Sequence, residues 1–313
     1  VQPERNQKLV QDPEKVLEGP AEGGSDERKD PIQQLYAALA REAQREYLDR
    51  PYDATTWRYL TRPPLRFRAS EAGNCPRRIY YRLMGCVPAP DSPRLKLLQL
   101  EGNLAQDVIR SLFEKHGIPI KGVVHMPDGT QRETKEGKRT FLVVMPDGGE
   151  RSIDVSARAD GFFENGHGPV VFEMKTMGSR MVYWFQQARD GYWGTKGNDA
   201  VLARIKKKYQ YYDAQMQLTM AIFDIDQTCF VFKDRDSTDY GLKAPDGERA
   251  SVHVPSDPAA TKAILQRLAS VKDAVLAEKP PQGYLDGSIE CKMCPVYYQC
   301  WGAVKLGKVV YPE

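Results

Sequence analysis

Residues 152–176 read Ser-Ile-Asp-Val-Ser-Ala-Arg-Ala-Asp160-Gly-Phe-Phe-Glu-Asn-Gly-His-Gly-Pro-Val-Val-Phe-Glu173-Met-Lys175-Thr. In extended chain, alternate side chains share a face. Glu173 and Lys175 therefore lie on one side, with Val170, Phe172 and Met174 on the other. In the first half Asp154, Ser156, Arg158 and Asp160 oppose Ile153, Val155, Ala157 and Ala159. The break between the halves holds Asn165-Gly166 among further turn formers, a hairpin signal. Closing that hairpin is predicted to set Asp160 beside Glu173 and Lys175.

Two carboxylates and a lysine on adjacent strands suit metal-assisted phosphodiester hydrolysis. Carboxylate oxygens hold hard divalent cations, and an ammonium orients water or offsets charge on phosphate. The alternative for any single Glu-x-Lys pair is a solvated strand face, because short patterns recur by chance. The spacing Asp160, twelve residues, Glu173, one residue, Lys175 resembles the PD-(D/E)XK nuclease superfamily. The resemblance implies an α/β (α+β) fold, with a central mixed sheet flanked by helices in the manner of restriction endonucleases.

The chain of 313 residues is 41% hydrophobic and 28% charged, enough for one large or two modest globular domains. No apolar run approaches the roughly 20 residues of a membrane span, and the polar N-terminal stretch lacks a signal-peptide core. A cytoplasmic protein with no membrane partner is expected. The net charge of +3 is too small to argue for a polyanion, so that case rests on local clusters.

Six cysteines in such a chain point to metal or redox chemistry before disulfides. Cys291, Cys294 and Cys300 fall within ten residues, and Cys75 stands far upstream. This spacing suits zinc or an iron-sulfur cluster. Cys86 and Cys229 sit among apolar neighbours and read as small buried hydrophobes.

Taken in order, residues 1–30 are too polar to order themselves and read as a tail. Residues 31–60 form an N-terminal helical segment, its helix running to about Leu48. Arginines crowd residues 62–82, where Arg77 and Arg78 are candidates for phosphate contact and a solvated face is the plainer reading. Leu97, Leu100, Leu104, Val108 and Leu112 mark an amphipathic helix over 94–116. Strands are predicted at 118–126 and 140–145, with a charged loop at 131–139. Residues 183–212 mix aromatics with cations, among them Lys206, Lys207 and Tyr211, and suit either single-stranded DNA or a helix core. A helix carrying Gln215 and Gln217, a strand at 228–233, a loop over 234–256 and a helix from Ser256 complete the chain. The two glutamines lie about 200° apart on that helix, so only one can face a given site, and Gln215 is favoured. His116, His125 and His167 show no ligand spacing.

The ordered set of an early cysteine, Gly102-x-x-x-Gln106, Asp160, Glu173-x-Lys175, a glutamine helix and three terminal cysteines resembles the iron-sulfur branch of RecB-like nucleases over residues 70–302. That branch includes AddB-type, CRISPR-adaptation and phage exonucleases. The resemblance makes residues 61–313 the nuclease domain, with cluster-binding segments near 70–86 and 288–302. It implies that Asp160 and Glu173 bind Mg²⁺ or Mn²⁺, that Lys175 positions the attacking water, and that Gln215 or Gln217 holds water or phosphate. Cys75, Cys291, Cys294 and Cys300 would carry a 4Fe-4S cluster joining the chain ends, with zinc as the alternative. Where the family has a metal-contacting histidine, this chain has Gln106, a weaker ligand. The implied activity is a metal-dependent DNA exonuclease acting on single strands or duplex ends in recombination, repair or phage DNA processing, with recombination, CRISPR or phage proteins as partners. Two other readings stand beside it: an inactive or weak DNA-end-binding or partner-binding module of the same fold, and a zinc-containing structural protein.

Overall fold

The computed structural model describes residues 31–48, 52–53, 58–88, 91–118, 120–126, 128–134, 137–165, 167–244, 246–283, 291, 294–297 and 299–300. The tail expected at 1–30 lies outside them.

The chain opens with helix α1 (Pro31–Leu48) and two-residue strands β1 (Tyr52–Asp53) and β2 (Arg58–Tyr59), followed by β3 (Arg66–Arg68) and a short 3₁₀ turn at Ala69–Glu71. Helix α2 (Pro76–Leu83) follows Cys75, its proline in the first turn, where a missing N–H costs nothing. Helix α3 (Pro93–Lys115) is capped by Ser92, whose Oγ accepts from Leu95 N at 3.2 Å. Strands β4 (Val123–His125), β5 (Gln131–Glu133), β6 (Gly137–Val144), β7 (Glu150–Ala157), β8 (Gly161–Glu164) and β9 (Pro169–Met177) come next. Helices α4 (Ser179–Arg189), α5 (Asn198–Lys208) and α6 (Gln210–Phe223) lead to β10 (Gln227–Asp234), then β11 (Leu242–Lys243), β12 (Arg249–Ala250), β13 (Val252–Pro255) and α7 (Pro258–Leu276).

The main sheet has the order β13-β10-β9-β8. β9 and β10 are parallel, joined by the α4–α6 crossover, while β8 and β13 run antiparallel at the edges. A second sheet has the order β3-β7-β6, with β3 parallel to β7. β9 divides the core. Val171 and Met177 belong to the large apolar cluster, whereas Val170, Phe172 and Met174 belong to a smaller one closed by Ile109 of α3. A strand buried on both faces reads as a near-continuous apolar run, which is the character of Pro169–Met177.

Four expectations are corrected. The stretch 152–164 is not one strand: β7 pairs with β6, β8 pairs with β9, and residues 158–160 make the step between the sheets. The 131–139 segment is β5 plus the start of β6, because charged side chains are tolerated where a strand faces solvent. Residues 234–256 include β11, β12 and β13; Val252 and Val254 alternate inward, with His253 outward between them. In α3 the stripe Leu100, Leu104, Val108 and Leu112 is exposed, and Ile109, with Ala105 and Phe113, faces the sheet. A helix with two apolar stripes shows its period in sequence but not which stripe meets the sheet, and α1 lies alongside this one.

Close backbone approach fixes one contact near the site. A Cβ at Gly73 would lie 2.0 Å from Tyr211 Cα, so the segment after the 3₁₀ turn can meet the start of α6 only as glycine.

Candidate active site

β8 and β9 pair with Gly161 opposite Phe172. The same register carried one residue further sets Asp160 opposite Glu173, and Met174 N donates to Asp160 Oδ2 at 2.9 Å. Asp160 is held on two further sides from α3. Gln106 Nε2 donates to Oδ2 at 3.1 Å, and Arg110 donates to the Asp160 carbonyl from Nη2 at 2.7 Å and Nε at 3.1 Å. The Gly102 and Gln106 turn of α3 therefore does reach Asp160 and β9, and a Cβ at Gly102 would find its nearest neighbour, Thr176 Oγ1, 4.0 Å away.

Glu173 is 2% exposed. Its Oε1 accepts from the Lys175 ammonium in a short ion pair and from Gln215 Nε2 at 2.7 Å. Burial, and then the Asp160 charge, push its carboxyl up to about 7, against the opposing pull of Lys175 and Gln215. Burial draws the Lys175 ammonium down, but the carboxylates of Glu173 and Asp160 outweigh it and hold it above its ordinary value. Lys175 thus stays a cation beside a carboxylate that is reluctant to ionise.

This donor set suits a hard divalent cation. Asp160 Oδ1 has only the distant Arg110 guanidinium at 4.0 Å, and no hydrogen bond reaches Glu173 Oε2 among the described residues. A buried carboxylate raised to about 7 is the kind of group a nearby divalent charge would ionise. The two carboxylates stand without a third: among the described residues no group of three or more His, Cys, Asp or Glu side chains is arranged to hold a metal.

The two glutamines separate. Gln217 turns away and is 1% exposed, with Nε2 donating to Pro255 O at 3.1 Å and Oε1 accepting from Asp257 N at 2.8 Å. It supports the capped start of α7, whereas Gln215 faces Glu173.

Beside Gln215 lies a cavity of about 250 Å³ lined by Arg68, Ser70, Ser156, Arg158 and Thr219, with Ala69 and Ala157. Thr219 is 1% exposed, and its hydroxyl has no hydrogen-bond partner among the described residues. Two guanidinium groups and three hydroxyls around a small space suit a phosphate. Sequence reading placed Arg158 on the Asp160 face and Arg68 in the basic stretch, but Ser70 and Thr219 carried no signal. They meet only when the 3₁₀ turn, β7 and α6 pack.

The arginine-rich segment is largely structural. Arg62 pairs with Glu278, and Arg82 with Glu71. Arg77 donates to Pro281 O at 2.8 Å and to Cys300 Sγ at 3.8 Å. Arg78 is exposed near Cys294, Lys206 pairs with Asp257 at 3.0 Å, Lys207 is exposed, and Tyr211 lies near Lys175. Arg77 and Arg78 thus stand at the cysteines.

No disulfide links any of the six cysteines. Burial raises the Cys294 thiol, and the Cys75 and Cys291 thiols add to that rise. Burial likewise pushes Cys300 up to about 11, opposed by Arg77 and reinforced by Cys75 and Cys294. Cys75, Cys291, Cys294 and Cys300 are therefore near neighbours with two arginines beside them, a donor set suited to a thiolate-bound centre, although their sulfurs are not arranged as a ready coordination set. Cys86 and Cys229 are buried apart from them.

No family model and no curated protein matches the chain. Among solved structures it is similar to an alkaline exonuclease from Laribacter hongkongensis, at 13% identity over 88% of this chain and 99% of that one, with a TM-score of 0.36. The same exonuclease in complex with dAMP is similar at 15% identity over 77% of this chain and 94% of that one, TM-score 0.37. A phage-related exonuclease from Haemophilus somnus 129PT is similar at 14% identity over 68% of this chain and 96% of that one, TM-score 0.40. Likeness at this level does not by itself fix an activity. No helix among the described residues is long and apolar enough to cross a membrane.

Proposed function

We propose that this chain is a metal-dependent deoxyribonuclease of the PD-(D/E)XK type, an exonuclease acting on single strands or duplex ends. One observation carries the reading: a buried Glu173 raised to about 7, ion-paired to Lys175, bonded to Gln215 and set beside Asp160 at a sheet step. A structural ion pair does not need a second carboxylate at its side, since adjacent like charges cost stability.

Asp160 and Glu173 would hold Mg²⁺ or Mn²⁺ through Oδ1 and Oε2. That cation would supply the activated water and offset charge on the phosphate. Lys175 keeps its proton and aims a positive charge at the scissile phosphate. Gln215 fixes the Glu173 rotamer, and Gln106 fixes that of Asp160. The Arg68, Ser70, Arg158 and Thr219 cavity receives a neighbouring phosphate of the DNA end. Cys75, Cys291, Cys294 and Cys300 would bind a 4Fe-4S cluster or zinc that ties the C-terminal segment to α2, which would place the chain in the RecB-like iron-sulfur branch. Recombination, repair and phage DNA processing are the settings that this branch suggests.

The geometry of Gln106 favours a second reading, a DNA-end-binding module with weakened metal affinity. Its amide nitrogen faces Asp160, so it donates where a ligand would have to accept. Digestion of labelled DNA with and without Mn²⁺ separates the two.

A further inference from the structure

The crossover helices carry an exposed cation-aromatic assembly outside the site described above. On α4, Arg180 and Trp184 are one turn apart, and the Arg180 guanidinium lies 5.2 Å from the indole centroid. The Arg204 guanidinium, on α5, lies 4.8 Å from Trp184 and 4.4 Å from Trp193. One guanidinium thus serves two indoles, and its Nε is buried without a hydrogen-bond partner among the described residues. Tyr192 packs edge-on to Trp193 at 5.4 Å.

Several of these rings stand in water. Tyr192 is 71% exposed and Trp193 53%, and neighbouring Tyr183 is 58% exposed. Large aromatics left in water forgo the benefit of burial, which marks a binding surface. The surroundings indicate the partner. Lys196, Lys207 and Lys208 are exposed with no ion pair among the described residues, and Lys207 and Lys208 follow Arg204 by one turn on α5. Protein interface cores are depleted in lysine, whereas single-stranded nucleic acid is held by rings that stack on bases and cations that track the backbone. Duplex DNA hides its base faces and cannot use such rings.

We infer that Trp193, braced by Arg204 against Trp184, is a stacking platform for unpaired bases of a single DNA strand. α4 starts two residues after β9, which carries Lys175, so the platform would guide a strand on its way to or from the proposed site. In that last respect it rests on the nuclease reading, and its binding role does not.

The test is fluorescence anisotropy of labelled oligo(dT) and of a blunt duplex of equal length, with the full chain in EDTA at fixed salt. Trp193→Ala is expected to weaken oligo(dT) binding by roughly 5- to 100-fold, the range for loss of one base-aromatic stack. Duplex binding should change less than about 2-fold, and Trp193→Phe should recover most of the loss. Unchanged thermal melting would show that the variants fold. Equal oligo(dT) binding by wild type and Trp193→Ala, an equal loss on duplex, or no single-strand binding at all would overturn the platform, the last leaving the surface to a protein partner. A separate Mn²⁺ cleavage assay distinguishes the two proposals. Trp193-dependent oligo(dT) binding without cleavage sustains the platform and removes the nuclease, whereas cleavage with Trp193-independent binding does the reverse.

Discussion

Gln106 and Asp160 meet across the α3–sheet interface, with Nε2 3.1 Å from the Oδ2 that also accepts from the Met174 amide. Both donors take the same oxygen, which leaves Oδ1 as the Asp160 atom that would face a cation in the proposed function. Gln106 therefore acts as an orienting group.

Replacing Gln106 by His should add a nitrogen ligand, since neutral imidazole can turn a lone pair toward the metal. Mn²⁺ binding to Gln106→His, measured by titration calorimetry, is expected to tighten by about 10-fold, or ~1.4 kcal/mol. Gln106→Ala should weaken it. Identical binding by both variants would remove Gln106 from the metal's surroundings.

Gln215 and Gln217 should fail differently. Gln217→Ala leaves Asp257 N and Pro255 O without their partner and is expected to cost about 1–3 kcal/mol in urea unfolding, with cleavage kept in the folded fraction. Gln215→Ala should lower kcat at least 10-fold and change stability less than Gln217→Ala, because its one bond holds the Glu173 carboxylate in place.

The raised Glu173 pKa makes stability depend on pH. Its ordinary value is 4.5 and its folded value about 7. Between them the folded protein keeps a proton that the unfolded chain has released. This group's contribution is therefore full below about 4.5 and is lost as pH rises through about 7. The shift corresponds to a ceiling of roughly 3 kcal/mol. In EDTA, the wild type should lose about 1–3 kcal/mol relative to Glu173→Gln between pH 5 and pH 8, measured by urea unfolding. Mn²⁺, which favours the carboxylate, should stabilise the wild type more at pH 8 than at pH 5, with parallel pH profiles for the two proteins as the contrary result.

The cysteines make a prediction about composition. Protein purified without oxygen should contain iron and sulfide if the four thiols hold a cluster, or zinc in a colourless preparation. Cys294→Ser should lower the metal content and the melting temperature together, whereas neither metal would mean that these thiols pack as ordinary core.

What the sequence made legible follows from local rules. The alternation around Glu173 and Lys175, the antiparallel pairing of β8 with β9 and the proline-led helices all depend on neighbours in the chain, and each was readable. The step at residues 158–160 was not, because inward and outward side chains keep alternating through it while the hydrogen-bond partners change from β6 to β9. Helical geometry showed only that Gln215 and Gln217 cannot share one site, and the task of Gln217 at Asp257 needed contact across 40 residues. The cavity hydroxyls of Ser70 and Thr219 gave no signal because isolated Ser and Thr are common on any surface.

The proposed function stands on hydrolysis of DNA by Asp160, Glu173 and Lys175 with a divalent cation. The most direct measurement is digestion of end-labelled single- and double-stranded DNA by anaerobically purified protein in Mn²⁺ or EDTA, alongside Lys175→Ala with its folding checked by melting. The wild type should release label in Mn²⁺ and none in EDTA, with a loss of roughly 100- to 1,000-fold in the variant, in keeping with removal of a transition-state charge. Release at the same rate by Lys175→Ala, or no release by folded, metal-loaded wild type, would contradict it.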